Sequence, residues 1–100
     1  MFARTTKLQL QSGKMDEFKR LFQEVIAPGL QQQPGFRSIT LLADESTGQV
    51  LGTTQWATEA DLIAIQNSSV NADWLKALHP LVAEPPVQAS YAVLMQVEPI

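Results

Sequence analysis

The sequence predicts a single α+β domain of ferredoxin-like type, a four-stranded antiparallel sheet assembled in the order βαββαβ. Three observations predict it. Apolar and polar residues alternate at both ends of the chain, a spacing of three and four replaces that alternation after residue 13, and turn-forming residues at 44–48 separate two β-rich runs. The chain has 100 residues, too few for two hydrophobic cores of ordinary size, so residues 1–100 form one domain.

The first strand is expected over Phe2 to Gln11, where Arg4, Thr6, Leu8 and Leu10 alternate with Thr5, Lys7, Gln9 and Gln11. Past Ser12-Gly13, Met15, Phe18, Leu21, Phe22, Val25 and Ile26 recur at helical intervals with charged residues between them, which predicts an amphipathic helix. Pro28-Gly29 is expected to stop it, since proline lacks an amide donor and glycine readily adopts the left-handed conformation of helix ends. After a polar loop, the runs Phe36–Ala43 and Gln49–Trp56 flank Asp44-Glu45-Ser46-Thr47-Gly48 and predict a hairpin. Thr58 stands as an N-cap, with Glu59 and Asp61 in the first turn, where the helix dipole favours negative charge. Leu62, Ile63 and Ile65 give that helix an apolar face. Asn67-Ser68-Ser69 frays it, and Asn71 is expected to cap a further helix through Trp74, Leu75 and Leu78 that Pro80 limits. Pro85-Pro86 imposes an extended chain, and apolar residues at every odd position from Val87 to Val97 predict the last strand.

The crossover rule puts both helical segments on one face of the sheet and leaves the other bare. On the less apolar face of each strand there remain Phe36 or Ile39, Leu42 or Leu41, Leu51, and Leu94. Burying about four such side chains per subunit at ~2 kcal/mol each recovers on the order of 16 kcal/mol per pair, against an association cost of ~4–15 kcal/mol. A homodimer through the sheet face is the expectation, and a monomer with a mottled outer face the alternative.

With 45% hydrophobic and 17% charged residues, the composition is that of a folded globular chain. Seven basic and ten acidic residues give a formal charge of −3, so no general positive field attracts nucleic acid. In the second half Lys76 stands alone against Glu59, Asp61, Asp73, Glu84 and Glu98, a balance that repels anionic membranes. The absence of cysteine excludes disulfides, thiolate metal sites and cysteine nucleophiles. No apolar run approaches a membrane span and no signal peptide is evident, which leaves the cytoplasm as the default location.

The familiar phosphate-binding, zinc-protease, hydrolase and calcium motifs are missing. His79, the only histidine, can be a general base, an axial haem ligand or simply a solvent-facing side chain near a helix end. Glu59 and Asp61 are explained by capping. Trp56 and Trp74 either fill the core or stack on an aromatic substrate. Arg4 and Arg37 either bind an anionic substituent or are solvated arginines on a sheet edge.

The Pro34-Gly35-Phe36 segment, the Gln55-Trp56 close of the hairpin and the TEADLIA stretch that follows resemble, in order and spacing, the antibiotic biosynthesis monooxygenase family over nearly the whole chain. The resemblance implies a dimeric α+β barrel with two sheets face to face. It also implies an oxygenase that uses no flavin or metal to oxidise an anthrone- or quinol-type aromatic, the substrate acting as its own reductant. On that reading Phe22, Trp56, Ile65, Trp74 and Tyr91 wall the pocket, His79 is the catalytic base, and no cofactor is required. Many members have a histidine nine residues after the strand-closing tryptophan, where this chain has Ile65. His79 resembles the ligand of the haem-degrading branch, but that branch's asparagine and tryptophan fall on Thr6 and Ile65. The resemblance therefore leaves a second possibility, a non-catalytic dimeric domain that binds a hydrophobic metabolite or serves as an accessory subunit.

Overall fold

The computed structural model describes residues 1–100, and its elements follow the expected order. Strands β1 (Phe2–Gln9), β2 (Phe36–Asp44), β3 (Gln49–Trp56) and β4 (Val87–Ala92) form one sheet in the order β2-β3-β1-β4. Every neighbouring pair is antiparallel, so the fold is the ferredoxin-like α+β arrangement. Helix α1 occupies residues 15–31, α2 is Glu59–Gln66 and α3 is Ser69–Leu78, with a short 3-10 turn at His79–Leu81. The core lies between the helices and one face of the sheet. It is built from residues such as Leu8, Val50 and Trp56 below and Phe18, Leu62 and Leu78 above.

Helix α1 does not end at Pro28-Gly29. It is α-helical over Met15–Leu21, π-helical over Phe22–Ile26 and α-helical again over Ala27–Gln31. The π turn resets the hydrogen-bond frame, so Pro28 falls in the first turn of the new segment, where a missing amide donor costs little. Gly29 serves packing, because a Cβ there would lie 2.6 Å from Cζ2 of Trp74.

The hairpin turn is closed by the Asp44 carbonyl, which accepts from Thr47 and Gly48 amides at 3.2 and 2.9 Å. The hydroxyl and amide of Ser46 donate to the Asp44 carboxylate and hold it below the usual carboxylate range. Thr58 caps α2 as expected, its Oγ1 accepting from the Asp61 amide at 3.1 Å and donating to the Asp61 carboxylate at 2.8 Å. The cap of α3 is Ser68 rather than Asn71, because the Ser68 hydroxyl reaches the Asn71 amide at 3.2 Å while donating to the Ile65 carbonyl at 2.7 Å. The Asn67-Ser68-Ser69 segment is thus the joint between two helices.

Strand β4 stops at Ala92, short of the expected Val97. Its partner β1 begins at Phe2, paired with Ala92, and only the Val93 amide finds a further acceptor, the Met1 carbonyl at 2.9 Å. A strand cannot extend past its ladder. Leu94 therefore lies outside the sheet, and Phe36 and Ile39 pack toward the core. The exposed apolar residues of the outer face are Leu42 and Leu51, directly opposite each other, with Val87 and Tyr91.

Gly35 joins α1 to the sheet at φ +76°, and a Cβ there would overlap the Asp61 carboxylate that closes the α2 cap. Gly13 has a similar φ, +80°, in open space. Gly35→Ala is expected to cost about 2–4 kcal/mol, the sum of backbone strain and crowding. Gly13→Ala should cost only the strain, about 1 kcal/mol. At roughly 4–8 °C per kcal/mol, thermal unfolding of the two variants separates these terms.

Candidate functional site

A partly open cavity of about 90 Å³ lies between the sheet and the helices. Its floor is the inner face of the strands, and side chains reach that face at every second residue. From β3 come Val50, Gly52, Thr54 and Trp56; from β1 come Arg4, Thr6 and Leu8; β2 adds Ile39 and Leu41, and β4 adds Gln88. Gly52 leaves the middle of the floor without a side chain, where an added Cβ would meet Leu41 Cδ2 at 3.3 Å.

The roof begins with Phe18, Phe22, Ile26 and Leu30 of α1, four residues apart. In a helix of about 3.6 residues per turn such a row drifts sideways. The π turn at Phe22–Ile26 winds less per residue and keeps the row over the cavity, a use of π turns common at functional sites. Ile65 of α2 and Asn71, Trp74, Leu75 and Leu78 of α3 complete the roof. Phe36 meets Trp56 edge to face at 5.6 Å beside it.

Two polar chains cross this apolar wall. Trp56 Nε1 donates to Thr54 Oγ1 at 2.9 Å, and that hydroxyl lies 3.4 Å from the Arg4 carbonyl. Arg4 Nη2 donates to Gln88 Oε1, and Gln88 Nε2 donates to Thr6 Oγ1 at 3.3 Å. Arg4 is 7% exposed, the only charged residue on the wall, and burial pushes its guanidinium below its ordinary pKa. It is not an edge arginine, since β1 is a central strand. Arg37, by contrast, sits at the β2 bulge and is exposed. No group of three His, Asp or Glu side chains converges anywhere in the fold.

Of the residues anticipated for the site, Phe22, Trp56, Ile65 and Trp74 meet at this cavity. Tyr91 does not, because it pairs with Ala3 and thus points away from the face that carries Arg4 and Ser90. His79 also lies apart, exposed in the 3-10 turn after α3 and absent from the wall. Gly52, Thr54, Thr6, Asn71 and Gln88 were not anticipated. An isolated glycine within a strand is itself a signal of close packing, and Thr54 shares its parity with Trp56.

A family model described as antibiotic biosynthesis monooxygenase matches residues 1–77. No curated protein matches the chain. Among solved structures, a Streptomyces coelicolor monooxygenase from the gene ActVA-Orf6, in complex with nanaomycin D, superposes with a TM-score of 0.83 at 18% identity, over 99% of this chain and 92% of that one. SnoaB, a cofactor-independent oxygenase from Streptomyces nogalater, gives 0.81 at 15% identity, over 96% and 95%. Rv0793 from Mycobacterium tuberculosis gives 0.78 at 15%, over 97% and 98%. At such identities the superpositions speak to the fold.

Thr54→Val keeps the shape of the floor but leaves the buried Trp56 indole N–H without its acceptor. It should cost about 1–3 kcal/mol in denaturant unfolding. Thr53→Val, on the outer face, should stay within about 0.5 kcal/mol of the parent.

Proposed function

The chain belongs to the antibiotic biosynthesis monooxygenase family, and from that premise we propose that it is a cofactor-independent monooxygenase acting on a small aromatic of the anthrone or quinol type. The observation that carries the proposal is the partly open cavity between sheet and helices, walled by Phe22, Trp56, Ile65 and Trp74. The expected chemistry needs little more than such a place. An electron-rich aromatic anion can transfer an electron to molecular oxygen, and the two resulting fragments combine at carbon. For an anthrone, one oxygen atom becomes the new carbonyl and the other leaves as water with the two hydrogens of the oxidised methylene. The substrate supplies all four electrons, so the balance calls for no flavin or metal.

On this reading the protein binds the ring, favours its deprotonated form and shields the oxygenated intermediate. His79 is exposed and does not line the cavity, and Tyr91 is on the other face, so this reading gives neither a part in that step. About 90 Å³ is below the usual range of roughly 300–1,000 Å³ for ligand pockets. A ligand of more than one ring therefore enters by displacing half-buried roof residues such as Phe22 and Leu75. The lack of any histidine or carboxylate on the wall favours a second reading, a non-catalytic domain that binds a hydrophobic metabolite or acts as an accessory subunit.

Oxygen consumption with a panel of anthrones and quinols tests the first reading. Uptake is expected with at least one of them, reduced at least tenfold by Gly52→Val, which fills the floor; tight binding without uptake by any compound would establish the second reading instead.

The same proposal includes a homodimer through the outer face, supported by exposed Leu42, Leu51, Val87 and Tyr91. In sedimentation at micromolar concentration the protein should run at twice 11.0 kDa. Leu42→Lys should shift it to the single-chain mass, since it sets a charge into that patch directly opposite Leu51.

A further inference from the structure

Arg4 is a buried cation whose circumstances the cavity alone does not explain. A charge taken out of water is costly unless an opposite charge or a full set of hydrogen bonds receives it. Arg4 has neither. The ion pairs of the fold, Lys14 with Glu17 and Lys19 with Glu45, are on the surface, and no carboxylate lines the cavity. A guanidinium offers five N–H donors. One goes to Gln88 Oε1, a neutral oxygen that Thr6 holds in place through the Gln88 amide group. No fully buried side-chain nitrogen in the fold lacks a partner, so the remaining guanidinium nitrogens keep some contact with solvent, and Arg4 lines the cavity. Around them the wall is apolar apart from Thr6, Thr54, Asn71 and Gln88.

We propose that Arg4 is the counter-ion for an anionic oxygen on the molecule that fills the cavity, so the site selects a flat apolar body bearing an ionised phenol or a carboxylate over its neutral analogue. The inference deepens the oxygenase reading and rests on it for the identity of the site as the substrate's. A positive charge beside an aromatic hydroxyl lowers that hydroxyl's pKa. The guanidinium would thus form the electron-rich anion that oxygen attacks without a base on the wall, with the released proton passing to water at the open mouth. It also makes a defined geometry, since its planar fork binds a carboxylate or phenolate directionally in a cavity that Trp56 and Trp74 also line.

Three single-ring probes test this in the intact protein by quenching of tryptophan fluorescence. Benzoate should bind about tenfold or more tightly than benzamide, which has the same shape and no charge. p-Nitrophenol reports its own ionisation by absorbance, and its apparent pKa should fall by about one unit or more on binding. Arg4→Met should abolish both effects, and Arg4→Lys should retain part of each. Should Arg4→Met fail to fold, the wild-type comparisons still decide. A benzoate preference without a p-nitrophenol shift assigns a carboxylate ligand, and the converse a phenolate. Equal binding of benzoate and benzamide with an unshifted p-nitrophenol, or no saturable binding of any probe, overturns the proposal. Selective anion binding by a protein that consumes no oxygen with any substrate leaves this inference standing and removes only the oxygenase reading.

Discussion

Successive side chains on a strand point to opposite sides of the sheet, and the antiparallel register locks the four strands so that Arg4, Thr54 and Ser90 stand in one row. That locking decides the character of both faces. The side holding Val50, Trp56 and Leu8 is covered by helices and becomes core, while the side holding Lys7, Leu42, Leu51 and Tyr91 is left in the open. A slip by one residue would invert the whole assignment, placing Lys7 under the helices and Trp56 in solvent. The two faces of one ribbon therefore answer to different demands, and the cavity has room where the inner row of β3 sets the small residues Gly52 and Thr54 between Val50 and Trp56.

The roof meets the floor through a similar economy of fit. A plain α-helix would carry Phe18 and Leu30 to different flanks, but the π turn between them brings the row back over the sheet. The same turn lets Pro28 sit inside a continuing helix, and that continuation brings Gly29 against the Trp74 ring. Trp74 is thereby fixed from above by a backbone approach that no other residue at position 29 would permit. The aromatic part of the site thus depends on a backbone irregularity in the roof of the cavity.

Much of this is legible in the sequence. The hairpin strand Gln49–Trp56 and the Thr58 cap fall where turn chemistry and capping place them, since both are settled by residues close in sequence. The failures share a cause, which is that each depended on something distant. Pro28 looks like a terminator unless the turn before it is known to be π-helical. The apolar row from Val87 onward was legible as a strand, but not its length, which the start of β1 limits, nor its side, which the pairing of Tyr91 with Ala3 determines. At the site, Trp56 and Trp74 were visible as large flat groups. The weight of Arg4 was not, because an arginine on a strand looks the same whether its strand is central and covered or exposed at an edge.

The strand that supplies Gln88 is itself an edge strand, six residues long, with pairing on one side only. Edges of this kind are among the first segments to open in the native ensemble, since few ladder bonds must break. Were β4 to peel back, Arg4 would lose its one side-chain acceptor, Gln88, and regain water. An opening of that margin would therefore also bare the inner charge, which ties the solvation of Arg4 to the pairing of β4 with β1.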